Sequence, residues 1–84
     1  MKISNFSLEV ISFESVKKFD IQWATFQSPS GEFTVGPGHS PIVSIISSDS
    51  SVRFKPKNGD VDNFAVMNGV LVVSQSGLAQ ILMM

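Results

Sequence analysis

The chain has 84 residues, six basic against seven acidic side chains for a net charge of −1, and no cysteine. That length fits one small domain, with no disulfide or thiolate metal site to brace it and no concentrated positive charge to meet a nucleic acid. Charged residues make up 15% of the chain, against about 25% in an ordinary domain, a composition suited to a surface largely covered by partners. No stretch is apolar and long enough to span a membrane, and Met1-Lys2-Ile3-Ser4-Asn5 lacks the apolar core of a secretory signal, so a soluble, non-secreted protein is expected.

Short extended runs broken by turn residues dominate the chain. Phe6, Leu8 and Val10 alternate with Ser7, Glu9 and Ile11, the period of a half-buried strand. Residues 16–19 form a second, very short strand, followed by an aromatic and β-branched run at 21–26. Trp23 lies inside that run and is read as a core residue in preference to an interface anchor. Ser28-Pro29-Ser30-Gly31 is a turn, because proline fixes φ and glycine admits positive φ. Residues 33–35 are a brief extended piece stopped by Gly36-Pro37-Gly38.

Residues 42–46 form a compact apolar run, expected to be buried on more than one side. Beyond a polar loop, Val52, Phe54 and Pro56 alternate with Arg53, Lys55 and Lys57, which turns one face to the core and a basic face to water. Asn58-Gly59 is the clearest hairpin signal and predicts a type I′ turn with both residues at positive φ. The returning strand covers 62–67, Asn68-Gly69 marks a turn or bulge, and 70–74 is apolar on both faces. After Gln75-Ser76-Gly77, residues 78–83 form the last strand. The expected fold is all-β, a small two-sheet β-sandwich with no substantial helix, filling residues 1–84 as a single domain.

Residues 31–41 carry most of the functional information. Gly36, Pro37, Gly38 and Pro41 fall within six residues and make a defined loop that loses little backbone entropy at its prolines. Such a loop can display side chains at an interface. His39 is the only histidine, and with no cysteine or second histidine a metal site lacks ligands. A nucleophile with a base and an orienting group is equally unsupported. Gly31, Gly36 and Gly38 lack both the Walker spacing and the dinucleotide fingerprint. His39 therefore reads as a loop histidine bonded to backbone or as an interface residue. Glu32 reads as a surface carboxylate at the turn or as a contact. No catalytic, cofactor-binding or metal-binding residue is assigned.

The string Gly31-Glu32-Phe33-Thr34-Val35-Gly36-Pro37-Gly38-His39-Ser40-Pro41-Ile42 resembles the pattern Gly-Glu-Phe-Gly-Ile-Leu-Pro-Gly-His-Ala-Pro-Leu of the F-type ATP synthase epsilon subunit family. Phe6-Ser7-Leu8-Glu9-Val10-Ile11-Ser12 is similar to the family's first strand, and Phe64-Ala65-Val66-Met67-Asn68-Gly69-Val70-Leu71-Val72-Val73 to its Phe-x-Val-Ser-Gly-Gly-x-Leu-Glu-Val segment. Thr34 stands for a usual glycine, Gly36 for an aliphatic or aromatic residue, and Asn68 for the first of paired glycines.

The resemblance implies the N-terminal β-sandwich of that subunit, in a short form without the family's C-terminal helical hairpin. It implies a non-catalytic rotor subunit of the central stalk that couples ion translocation to ATP synthesis or hydrolysis. The implied partners are the gamma subunit and the ring of c subunits, with no nucleic acid, no cofactor, and membrane contact only through the complex. Glu32, Phe33, Gly38 and His39 would face the ring, on a scaffold of Gly31, Gly36, Pro37 and Pro41. The implied location is the cytoplasmic face of a bacterial inner membrane, in preference to an organelle. The alternative reading is an unrelated small β-sandwich module that binds a ligand or protein through the same loop.

Overall fold

The computed structural model describes residues 6–84, so the reading of Met1-Lys2-Ile3-Ser4-Asn5 lies outside the described residues. The described residues form eight strands and no helix. These are β1 (Ser7–Ile11), β2 (Val16–Ser28), β3 (Gly31–Val35), β4 (Ile42–Ile46), β5 (Ser50–Pro56), β6 (Asp62–Val66), β7 (Gly69–Val73) and β8 (Leu78–Met83).

The strands make two sheets joined through β2, the architecture of a β-sandwich. The first sheet runs β4-β7-β8-β1 and ends on the first half of β2. The second half of β2 continues into the other sheet, where Ala24 pairs with Val35 of β3 on one side and Phe54 of β5 on the other; β6 flanks β5. All neighbours are antiparallel except β1 and β8, whose register runs from Ser7↔Leu78 to Ile11↔Leu82.

Alternate side chains from both sheets meet between them. Leu8, Leu71, Val73, Ala79 and Ile81 come from the first sheet; Phe26, Val35, Val52, Phe54 and Val66 come from the second. Phe19, Phe54 and Phe64 pack ring on ring, with centroids 5.0 and 5.9 Å apart. Such pairs add about 0.5–1.5 kcal/mol beyond the area they bury.

Several local expectations change. The runs at 16–19 and 21–26 are one strand of 13 residues, because Asp20 pairs with Ser7 in the ladder and does not break it. A register shift between Ile21 and Trp23 marks a bulge at Gln22. A bulge inserts one residue and exchanges the faces beyond it. Phe19 and Ile21 point inward before it and Ala24 and Phe26 after it. Trp23 thus stands opposite Lys55 on the outside of the second sheet, half-buried, and is not a core residue.

The β5–β6 hairpin forms, but over the loop 57–61, and neither Asn58 nor Gly59 has positive φ. The loop is held instead by Lys55, whose ammonium donates to the Gly59 carbonyl. The β4 strand is buried on one side only: Ile46 is in the core, while Val43 and Ile45 are 74% and 64% exposed. Gly69 answers to close approach. A Cβ there would lie 3.1 Å from Val66 Cγ1 and 3.3 Å from the Leu82 carbonyl.

Candidate functional site

The loop after β3 is built as its composition dictates. Pro37 and Gly38 occupy the centre of a turn in which the His39 N–H donates to the Gly36 carbonyl at 3.1 Å. Gly38 sits at φ 81°, the value a type II turn requires of its third residue, with proline favoured just before it. The His39 ring uses Nδ1 to donate to the Ser40 carbonyl at 2.7 Å, which sets the tautomer and leaves Nε2 directed away from that bond. Pro41 then leads into β4.

The other residues of the segment are separated from this turn by β3. Gly31 opens the strand, and its carbonyl accepts from the Ser28 hydroxyl at 2.9 Å. Glu32 is exposed opposite Gln27. Four residues at about 3.3 Å each put roughly 13 Å of strand between Glu32 and Gly36. Phe33 points the other way, into the sandwich, where its ring stacks on Phe26 with centroids 5.8 Å apart. Gly36, Pro37, Gly38 and His39 form one turn, while Glu32 and Phe33 lie on opposite faces of a strand beyond it. Thr34, which stands where a glycine was expected, pairs its hydroxyl with that of Thr25 at 2.9 Å on the outer face. Among the described residues no three His, Asp or Glu side chains cluster as metal ligands.

A second feature is larger. Across the outer face of the first sheet, Ile45, Val70, Leu82, Ile11 and Val16 are successive cross-strand partners on five strands. None belongs to the buried core, and Ile45, Val16 and Leu82 are 64%, 60% and 40% exposed. The next row reads Val43, Val72, Gln80, Glu9 and Lys18. Its polar end is tied by the Gln80 amide, which donates to the Glu9 carboxylate at 2.7 Å. Solvated faces of antiparallel sheets normally alternate to polar residues. A contiguous apolar face of this kind marks an interaction surface. Sequence reasoning did not single these residues out, although the signal was present: strands β4 and β7 are apolar at both parities, and one parity suffices for the core.

The described residues thus form an eight-stranded β-sandwich with an apolar row across one outer face and a Pro-Gly-His turn after β3. The profile of the ATP synthase delta/epsilon chain β-sandwich domain matches residues 5–82, and the chain belongs to that family. No curated protein sequence matches it. Among solved structures, it is similar to a chain of the Euglena gracilis mitochondrial ATP synthase assembly of OSCP, F1 and c-ring, with TM-score 0.86, 18% identity and 96% of this chain covered. It is also similar to a chain of the Tetrahymena thermophila mitochondrial ATP synthase central stalk and c-ring, with TM-score 0.81, 12% identity and full coverage. At these identities the likeness concerns the fold. The present chain spans 51% and 66% of those two chains. Family membership sets aside the alternative of an unrelated sandwich module.

Proposed function

We propose that the chain is a non-catalytic rotor subunit of the ATP synthase central stalk, of the epsilon type, which docks on the gamma subunit through the outer face of its first sheet. The observation that carries this is the row Ile45, Val70, Leu82, Ile11 and Val16. Burying such a row against a partner removes apolar area from water at about 25 cal/mol per Å² before association costs. The adjoining Gln80–Glu9 pair supplies a polar border of the kind that fixes orientation.

The flank of the second sheet would meet the ring of c subunits. Glu32, Gly38 and His39 are the proposed contacts, with Phe33 setting the pose of β3 from beneath by its stacking on Phe26. The scaffold is Gly31, Gly36, Pro37 and Pro41. The mechanism is mechanical. A sandwich whose sheets share one core resists shear, so a torque applied at the ring side reaches gamma with little internal slip. The compartment is the F1 side of an energy-coupling membrane, reached through the complex. The sequence favours the bacterial inner membrane, while the two structural matches come from mitochondrial assemblies.

The test is calorimetric titration of the chain into its cognate gamma subunit. Saturable binding with a negative heat-capacity change is expected, the mark of apolar burial. Absence of binding would remove the proposal.

A further inference from the structure

We propose that Phe13 is a docking anchor, a ring that the partner of the apolar face takes into a pocket of its own. The proposal rests on the gamma-docking reading above and names a residue that carries it.

Phe13 sits at the tip of the link between β1 and β2 and is 100% exposed. The chain has seven phenylalanines. Phe6, Phe26 and Phe54 are buried, and Phe19, Phe33 and Phe64 pack against the core. A phenyl ring left wholly in water forgoes the largest hydrophobic gain available to its position. The turn itself makes no use of the ring. Its geometry is set by the serines on either side: Ser12 N–H donates to the Ser15 carbonyl at 2.8 Å, and Ser15 N–H donates to Ser12 Oγ at 3.3 Å. Turn tips favour glycine, asparagine, aspartate and serine, so local structure gives no reason for phenylalanine at position 13. The serine hydrogen bonds brace the backbone that carries the ring, which lowers the backbone share of the ordering cost of binding.

Continuity identifies the occupant. Ile11 and Val16, the residues that flank the turn, are register partners and form the end of the apolar row. Ile11, Phe13, Leu82, Met83 and Met84 line one open hollow there. A partner that covers Ile45, Val70 and Leu82 and extends past Ile11 therefore meets the tip that carries the exposed ring. Aromatic residues at such positions dominate binding when a complementary pocket closes around them.

The experiment compares the wild-type chain, Phe13→Ser and Phe13→Leu in titrations into the cognate gamma subunit, with thermal unfolding of each chain alone. Phe13→Ser is expected to weaken binding at least about 30-fold, the hot-spot range, and Phe13→Leu to recover part of the loss. Melting temperatures should match, because the ring is wholly exposed. Binding of Phe13→Ser within threefold of wild type overturns the anchor and leaves gamma docking intact. A lowered melting temperature for Phe13→Ser also overturns it, since the ring would then serve its own fold. A wild-type chain that does not bind gamma removes both readings. If wild type self-associates in sedimentation and Phe13→Ser does not, while gamma binding is unchanged, the ring serves a second copy and the anchor is likewise overturned.

Discussion

The two sheets present opposite exteriors. On the first, one cross-strand row reads Ile45, Val70, Leu82, Ile11 and Val16. On the second, the row through the centre reads Thr34, Thr25, Arg53 and Asn63, flanked by Trp23 opposite Lys55 and Gln27 opposite Glu32. Both sheets have apolar inner faces and share one core. The difference therefore owes nothing to the requirements of folding. The polar row has what a solvated sheet surface needs. The apolar row has what a buried surface needs, and among the described residues nothing buries it.

Substitutions break the comparison at different depths. The deepest is Phe26→Ala. Phe26 is fully buried and stacks on Phe33, so its removal undermines the platform of both faces. A loss of about 3–5 kcal/mol is expected in urea unfolding, a large share of the 5–15 kcal/mol that holds an ordinary domain together. Next comes Gly69→Ala, at the start of β7 in the first sheet. Its Cβ would press on Val66 and the Leu82 backbone, and overpacking of this kind costs about 1–3 kcal/mol. Because β7 and β8 carry Val70 and Leu82, gamma binding should weaken along with stability in this variant.

Smaller effects sharpen the picture. Gly38→Ala places a Cβ at φ 81° with open space around it. The cost is conformational alone, about 1–2 kcal/mol in thermal unfolding, and it should appear without loss at the apolar face. The smallest effect is expected from Thr34→Val. It removes one hydroxyl of the Thr25–Thr34 pair and leaves Thr25, only 7% exposed, without that partner. About 1 kcal/mol is expected, and a double-mutant cycle with Thr25→Val would return most of it as coupling.

Much of this architecture is legible in the sequence, and its failures have definite causes. The alternation in β1 and β5 and the turns at 28–31 and 75–77 follow from period and turn chemistry, and the Pro37-Gly38 turn takes the form its residues require. Trp23 was misplaced because a bulge at Gln22 reverses the faces of β2, and a bulge leaves no reliable mark on the period. Asn58-Gly59 signalled a two-residue type I′ turn, but Lys55 closes a longer loop around it with ordinary backbone angles. Within the candidate site, the segment 31–41 stands out by its motif, yet the strand between Glu32 and Gly36 divides it into two places. The apolar exterior was not found, because a strand apolar at both parities looks the same whether its second face meets a core or a partner.

The sharpest test pairs one substitution on each exterior. Ile45→Asp puts a charge on the apolar face, at its β4 end, and Arg53→Glu reverses a charge on the polar face. Both side chains are exposed, so each chain should unfold within about 0.5 kcal/mol of wild type. In calorimetric titration with the cognate gamma subunit, Ile45→Asp is expected to lose binding at least about 100-fold, as a desolvated unpaired charge demands. Arg53→Glu is expected to bind within about threefold of wild type. Equal losses in the two variants, or a loss confined to Arg53→Glu, would contradict the assignment of the first sheet as the docking face.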